Sequence, residues 1–236
     1  MMKKAVSLAL LLVAILLLPS CNKNRQPGRN VPKLPEAFRP AGVDMGGDIL
    51  WAEFNLGTTE SVQYGYALRW GEWKEMDKDS DYRFSIKGEV GYSAYNDADK
   101  LTILQEEDDP AVLLLGDGWH TPSPEDFQWL ADNCEWAFVE YENYNCGVTA
   151  TSKINGKQLY FPLHYNAPDA LGAPQAISIL GASREYATNT LVSGDWSRNI
   201  SYKIKFNGSI LDGKVVVTQS NSKRTQSLHY RPVKNK

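Results

Sequence analysis

Apolar and polar positions change rhythm along this chain, and each rhythm predicts a different kind of structure. The chain opens with an apolar run, residues 5–18, broken only by Ser7. A polar stretch with prolines follows, and from about Val43 short aromatic and aliphatic segments alternate with Gly-rich breaks. Residues 49–54 and 64–70 read as strands, because β-branched and aromatic residues fill them between turn residues. Residues 74–80 are polar and read as a loop.

Residues 109–116 and 123–133 carry helix signals instead. Asp109 and Ser123 suit the N-cap, Pro110 and Pro124 the first helical position, and Gly116 an exit. Phe127, Leu130 and Ala131 then fall on one helical face. Beyond Asn133 the pattern is β-rich. Residues 135–139 and 148–151 flank the polar 140–145 as a hairpin would, and residues 158–163 follow the Asn155-Gly156 turn. Residues 201–206, 214–218 and 227–233 are further strands, separated by Asn207-Gly208 and the polar 219–225. Two short helices and a β-rich second half predict one α+β domain without internal repeats.

The opening run is not part of that domain. Lys3 and Lys4 precede it and Pro19-Ser20-Cys21 ends it, the pattern of a secretory signal peptide. It is shorter than the ~20 residues that span a bilayer, which makes a permanent transmembrane helix the weaker reading. Leu18-Pro19-Ser20-Cys21 resembles the bacterial lipobox and predicts lipid attachment at Cys21, the alternative being an ordinary signal with an incidental cysteine. Two acyl chains suffice for stable anchoring, which makes the membrane a partner through the lipid. Residues 22–40 hold Pro27, Pro32, Pro35 and Pro40 among polar residues, as a tether does. The expected division is signal 1–20, tether 21–42, domain 43–233 and a tail at 234–236.

Length and composition add exclusions. The 236 residues are 42% hydrophobic with 3 Cys, unlike a collagen, a coiled coil, a polytopic membrane protein or a disulfide-dense scaffold. Loss of residues 1–20 removes two lysines and no acid, so the formal charge moves from -3 to -5. With no basic stripe, nothing points to nucleic acid. Cys134 and Cys146 flank the polar turn in an oxidising compartment and could pair as a disulfide; the alternative is two buried free thiols. His120, His164 and His229 lie far apart without metal-type spacing, so no metal and no cofactor are expected. Residues 77–81 begin like a calcium loop, but Tyr82 stands where Gly is needed and Gly88 where the bidentate Glu belongs.

A larger resemblance runs through the domain. Val43-Asp44-Met45-Gly46, Leu50-Trp51-Ala52-Glu53-Phe54-Asn55-Leu56-Gly57 and Trp70-Gly71-Glu72 open it. Gly118-Trp119-His120-Thr121-Pro122-Ser123-Pro124-Glu125-Asp126-Phe127 and Asn133-Cys134-Glu135-Trp136 continue it, and Tyr230-Arg231-Pro232-Val233 closes it. In this order the motifs resemble the Fibrobacter succinogenes major paralogous domain family (FISUMP) over about residues 43–233. The resemblance implies a C-type-lectin-like fold related to the formylglycine-generating sulfatase-modifying factors. One departure is Ile179-Leu180-Gly181-Ala182-Ser183, where relatives carry an aromatic-Trp-Ser-Ser motif. The cysteines on which formylglycine generation depends have no counterpart after Cys146, so an enzyme of that type is the remote alternative.

In C-type-lectin-like folds the variable surface lies in loops before the last strands, here about residues 164–199. Arg184, Tyr186, Asn189, Asp195 and Trp196 there offer stacking surfaces and paired hydrogen-bonding groups suited to a glycan or protein epitope. Trp51, Trp70, Trp119 and Trp136 read as core. The expected function is non-catalytic binding of a glycan or surface protein by an outer-membrane lipoprotein, facing either the cell surface or the periplasm. A structural subunit of a surface assembly such as a fimbria is the alternative.

Overall fold

Among the described residues, strands make up most of the regular structure, with two short α-helices between them, an α+β arrangement. The computed structural model describes residues 31–75, 81–116, 118–140, 146–163, 182–207 and 213–236. The signal segment, Cys21, His164, most of the calcium-like loop and residues 179–181 of the departing motif therefore lie outside the described residues.

Strands β1 (Gly42–Asp44) and β2 (Ile49–Ala52) form a hairpin with Val43 opposite Trp51. After β3 (Ala67–Leu68) come α1 (Pro110–Leu114), β4 (Trp119–His120) and α2 (Pro124–Asn133). Next are β5 (Cys134–Glu140), β6 (Cys146–Ser152) and β7 (Gln158–Leu163), then β8 (Ser183–Val192), β9 (Asp195–Asn207) and β10 (Lys214–Lys223). The chain closes with β11 (Leu228–His229) and β12 (Val233–Asn235). Three sheets result, with strand orders β1-β2-β12-β4, β10-β9-β8-β11-β3 and β5-β6-β7.

Both helices form for the local reasons that their sequences advertise. Asp109 accepts from Ala111 N at 2.8 Å, while its carboxylate also takes Thr121 N at 2.8 Å and Thr121 Oγ1 at 2.7 Å. One side chain thus caps α1 and fastens the lead into α2. Burial pushes the Asp109 carboxyl up from its ordinary value, and the three donors act against that shift. Ser123 Oγ accepts from Asp126 N at 3.1 Å and Asp126 Oδ2 from Ser123 N at 2.8 Å, a reciprocal capping box with Asp in the third position.

The main core lies on one face of the five-stranded sheet. Tyr186, Tyr202, Ile204 and Phe206 from that sheet meet Phe127 and Leu130 of α2 and Val148, Ala150, Leu159 and Phe161 of the three-stranded sheet. Phe127 stacks on Tyr202 at 5.2 Å and meets the edge of Trp51 at 5.0 Å. A second core encloses Arg224, which is wholly buried. Its guanidinium lies 4.2 Å from the Tyr92 ring centroid and 5.2 Å from that of Trp70. It donates to Tyr82 Oη at 3.1 Å, Tyr95 O at 3.0 Å, Trp196 O at 3.2 Å and Ala94 O at 3.4 Å.

Several boundaries differ from those expected. Residues 31–42 are not free tether: Val31 and Leu34 pack on the cluster around Leu114, and Leu34 N donates to Leu114 O at 2.8 Å. Nor do residues 234–236 form a tail, because Lys234 and Asn235 pair with Leu50 and Ile49 and Lys236 reaches Asp44 at 2.9 Å. The polar 219–225 does not end a strand at Thr218; β10 runs on to Lys223 opposite Arg198. There the ladder carries the strand and its outer face needs no apolar residue. The 227–233 strand breaks in two, because the chain leaves one sheet at His229 and joins another at Val233. Only Ala67 and Leu68 of the expected 64–70 strand pair, with β11.

Removing the Arg224 side chain leaves the carbonyls of Ala94, Tyr95 and Trp196 without their donor. Arg224→Ala is expected to cost at least about 3 kcal/mol in urea unfolding, since each orphaned buried acceptor costs about 1–3 kcal/mol. Arg198→Ala, which removes an exposed pair with Asp195 at 3.6 Å, is expected to cost under about 1 kcal/mol. Equal losses would contradict the role given to Arg224.

Candidate functional site

The five residues expected to form a binding surface do not come together. Arg184 and Asp195 occupy opposite ends of the β8–β9 hairpin, Arg184 opposite Ile204 and Asp195 opposite Val192. Tyr186 is fully buried, its ring edge-on to Phe161 at 5.4 Å, and is a core residue rather than a ligand contact. Arg184 faces the same interior side, over the Tyr64 ring at 4.1 Å, with Nη1 donating to His229 Nε2 at 2.7 Å. Burial lowers its pKa from the ordinary arginine value. Because arginine can only donate, that His229 nitrogen is an acceptor.

Asn189 is a junction: its N–H reaches Pro122 O at 2.9 Å and its carbonyl accepts from Leu104 N at 2.8 Å. Asp195 holds its own turn, accepting from Ser197 N at 3.0 Å, and those Ser197 bonds keep its carboxyl below the usual range. Trp196 is half-buried against the cluster that surrounds Arg224. The expected variable stretch is thus partly a regular hairpin; residues 164–181 within it lie outside the described residues.

The cysteines also differ from the paired reading. Cys134 and Cys146 are free and buried. Cys134 pairs with Ser152 and Cys146 with Glu140, so they sit at opposite ends of the β5–β6 ladder, six residues apart along it. At about 3.3 Å per residue that is roughly 20 Å, while a disulfide needs Cα atoms within about 7 Å. Each cysteine begins its own strand, Cys134 that of β5 and Cys146 that of β6, and because the two strands run antiparallel these starts lie at opposite ends of the ladder. Burial pushes the Cys134 thiol up to about 11. Among the described residues, no group of three or more His, Cys, Asp or Glu is placed to hold a metal ion.

Sheet stacking creates a different candidate. β5 ends the three-stranded sheet and β10 ends the five-stranded one. Cys134, Trp136 and Phe138 alternate inward along β5 with the exposed Glu135 and Ala137. Among the described residues, a groove of about 570 Å³ lies beside them, lined by Trp136, Phe138, Phe206, Lys214 and Val215. Phe138 stacks on Phe206 at 4.1 Å, and Trp136 meets Phe161 at 5.5 Å and donates from Nε1 to Ala131 O at 3.4 Å. Trp51, Trp70 and Trp119 are buried, in agreement with the core reading, whereas Trp136 is half-buried at this groove. An aromatic pair at i and i+2 on an end strand is the sequence signal for it. The groove offers apolar contact with one cation at its rim, a composition suited to a protein side chain.

Two free thiols are expected on alkylation of the unfolded, unreduced domain, with little reaction of Cys134 in the native state at pH 8. Because its folded pKa is raised, the stability held by the protonated thiol is present below the ordinary thiol range and is lost as pH rises through about 11. Cys134→Ser should flatten unfolding free energy across that alkaline interval; recovery of a disulfide-linked peptide by mass spectrometry would overturn the free-thiol assignment. Compared with known proteins, the chain matches no family model, no curated protein and no solved structure.

Proposed function

We propose that this protein is an exported bacterial lipoprotein of the outer membrane, anchored through Cys21, whose C-type-lectin-like domain binds a surface protein without catalysing a reaction. The lipobox-like Leu18-Pro19-Ser20-Cys21 and the FISUMP-like motifs support anchoring and fold class. The observation that carries binding is the aromatic groove between β5 and β10, where among the described residues Trp136 and Phe138 are half-buried over the buried Phe206 at the edge of the core. An inserted apolar side chain would extend that core, and aromatic residues that become fully desolvated on binding are the usual energetic centre of such contacts. The two end strands beside the groove favour a second reading, a structural subunit of a surface assembly such as a fimbria, since end strands can pair with another chain.

A photo-crosslinking residue at position 137, at the groove's edge, is expected to capture an envelope protein in cells. Trp136→Ala should reduce capture at least tenfold while the melting transition stays cooperative. Capture of further copies of this chain in a ladder would select the assembly reading, and undiminished capture would remove the groove from the function. Cys21→Ser is expected to abolish metabolic labelling by a palmitate analogue and release the protein from the membrane fraction; retention with label would overturn the anchor.

A further inference from the structure

The three-stranded sheet carries a second cleft on the face turned away from the core. Along β6 and β7, Val148, Ala150, Leu159 and Phe161 point inward, so Thr149 and its partner Tyr160 point outward, as does Gln158. These three form one wall of a cleft of about 420 Å³; Glu53, Glu60 and Ser61 form much of the other. The Gln158 amide is oriented by its bond to Thr151 Oγ1 at 3.0 Å. Gly147 makes room for Tyr160, since a Cβ there would stand 2.3 Å from the phenol oxygen.

Arg231 fastens the two walls together from below. It is fully buried, donating through Nη1 to Glu53 O at 2.9 Å and Ala52 O at 3.1 Å, through Nη2 to Tyr160 O at 2.7 Å and through Nε to Asn55 Oδ1 at 2.8 Å. Burial lowers its pKa to about 10, which leaves it charged at neutral pH. The walls are therefore set before any ligand arrives, and a preorganised site loses less affinity to ordering.

Among the described residues, the lining combines two carboxylates, an amide and several hydroxyls with no lysine, arginine or histidine. Carboxylates accept strongly from O–H donors, and the missing cations disfavour carboxylate, sulfate or phosphate ligands. The volume is that of a small-ligand site. We propose that this cleft binds a neutral saccharide, whose hydroxyls donate to Glu53 and Glu60 and exchange hydrogen bonds with Ser61, Thr149 and Gln158. Its apolar C–H face rests on the Tyr160 side. The site shares no residue with the aromatic groove and does not depend on the function assigned there.

Isothermal titration of the folded chain with cellotriose, maltotriose and mannotriose, against trigalacturonic acid and pentalysine, tests the assignment. At least one neutral trisaccharide is expected to bind, at least tenfold more tightly than trigalacturonic acid or pentalysine. Glu60→Gln and Gln158→Ala, both at exposed positions, should each weaken that binding about tenfold without lowering the melting temperature. Trp136→Ala should leave it unchanged, which separates this site from the groove. Absence of binding by all three neutral sugars, equal or tighter binding of the acidic sugar or the basic peptide, or indifference to both variants would each overturn the proposal.

Discussion

Two buried guanidinium groups, seven residues apart on the last stretch of chain, set the terms for everything around them. Arg224 and Arg231 are both wholly buried, and among the described residues their hydrogen bonds go to backbone carbonyls, a phenol and an amide rather than to carboxylates. Removing a charge from water costs several kcal/mol, and it is tolerated only where polar groups replace the lost solvent. The fold supplies those groups from segments remote in sequence: residues 82–95 and Trp196 around Arg224, residues 52–55 and Tyr160 around Arg231. The faces of Tyr92 and Trp70 complete the surroundings of Arg224, and the Phe161 ring, at 4.5 Å, those of Arg231. Because those acceptors must be in place together, the C-terminal crossing from β11 to β12 couples all three sheets.

That coupling explains why a domain with short strands can hold well-defined surface features. The four-stranded sheet has β12 between β2 and β4, so its centre is built from the two ends of the domain. The three-stranded sheet is a local hairpin array, tied to the rest by Arg231 on Tyr160 O and by Ser152 Oγ on Met45 O at 2.7 Å. Its inner face packs on the core, with the groove at its β5 edge, and its outer face forms one wall of the polar cleft. One sheet thus presents an apolar opening and a polar one on different sides. Their linings differ enough to select different chemical classes of partner.

Capping chemistry was legible in the sequence because it is local. Asp109, Ser123, Pro110 and Pro124 act within a few residues of their own position, and both helices form where those residues point. The β5–β6–β7 array followed equally well from its alternation and the Asn155-Gly156 turn. Strand β8 did not: Ser183-Arg184-Glu185-Tyr186 mixes charge with an aromatic and reads as a loop, although Glu185 stands opposite Lys203 and accepts from Ser201 Oγ at 2.6 Å, and Tyr186 stands opposite Tyr202 on the inward face. The Trp136 and Phe138 spacing marks one wall of the groove, but Phe206 and Lys214 join it only through sheet stacking across some 80 residues, which no spacing along the chain signals. Arg231 stood inside a family-like motif, but its burial depends on Tyr160 and Asn55, which lie far away in sequence.

The docking of residues 31–42 bears on the proposed anchor. With lipid on Cys21, the link to the folded surface is residues 22–30 rather than 22–42, since Leu34 N is bonded to Leu114 O and Lys33 Nζ reaches Val112 O at 2.6 Å. An extended link of that length spans roughly 30 Å, at about 3.1 Å per residue, about half the reach of a tether running to Pro40. The Lys33 contact also places a cation at the carboxyl end of α1, where it complements the helix dipole and steadies the exit at Gly116. Val31 and Leu34 thus pack beside α1, in the cluster containing Leu114 and Trp119, whereas the groove and cleft belong to the three-stranded sheet, whose inner face packs on the main core. Were Cys21 lipidated as proposed, a link that ends at α1 would hold the domain within about 30 Å of the bilayer, and a partner of the three-stranded sheet would be met near the membrane surface.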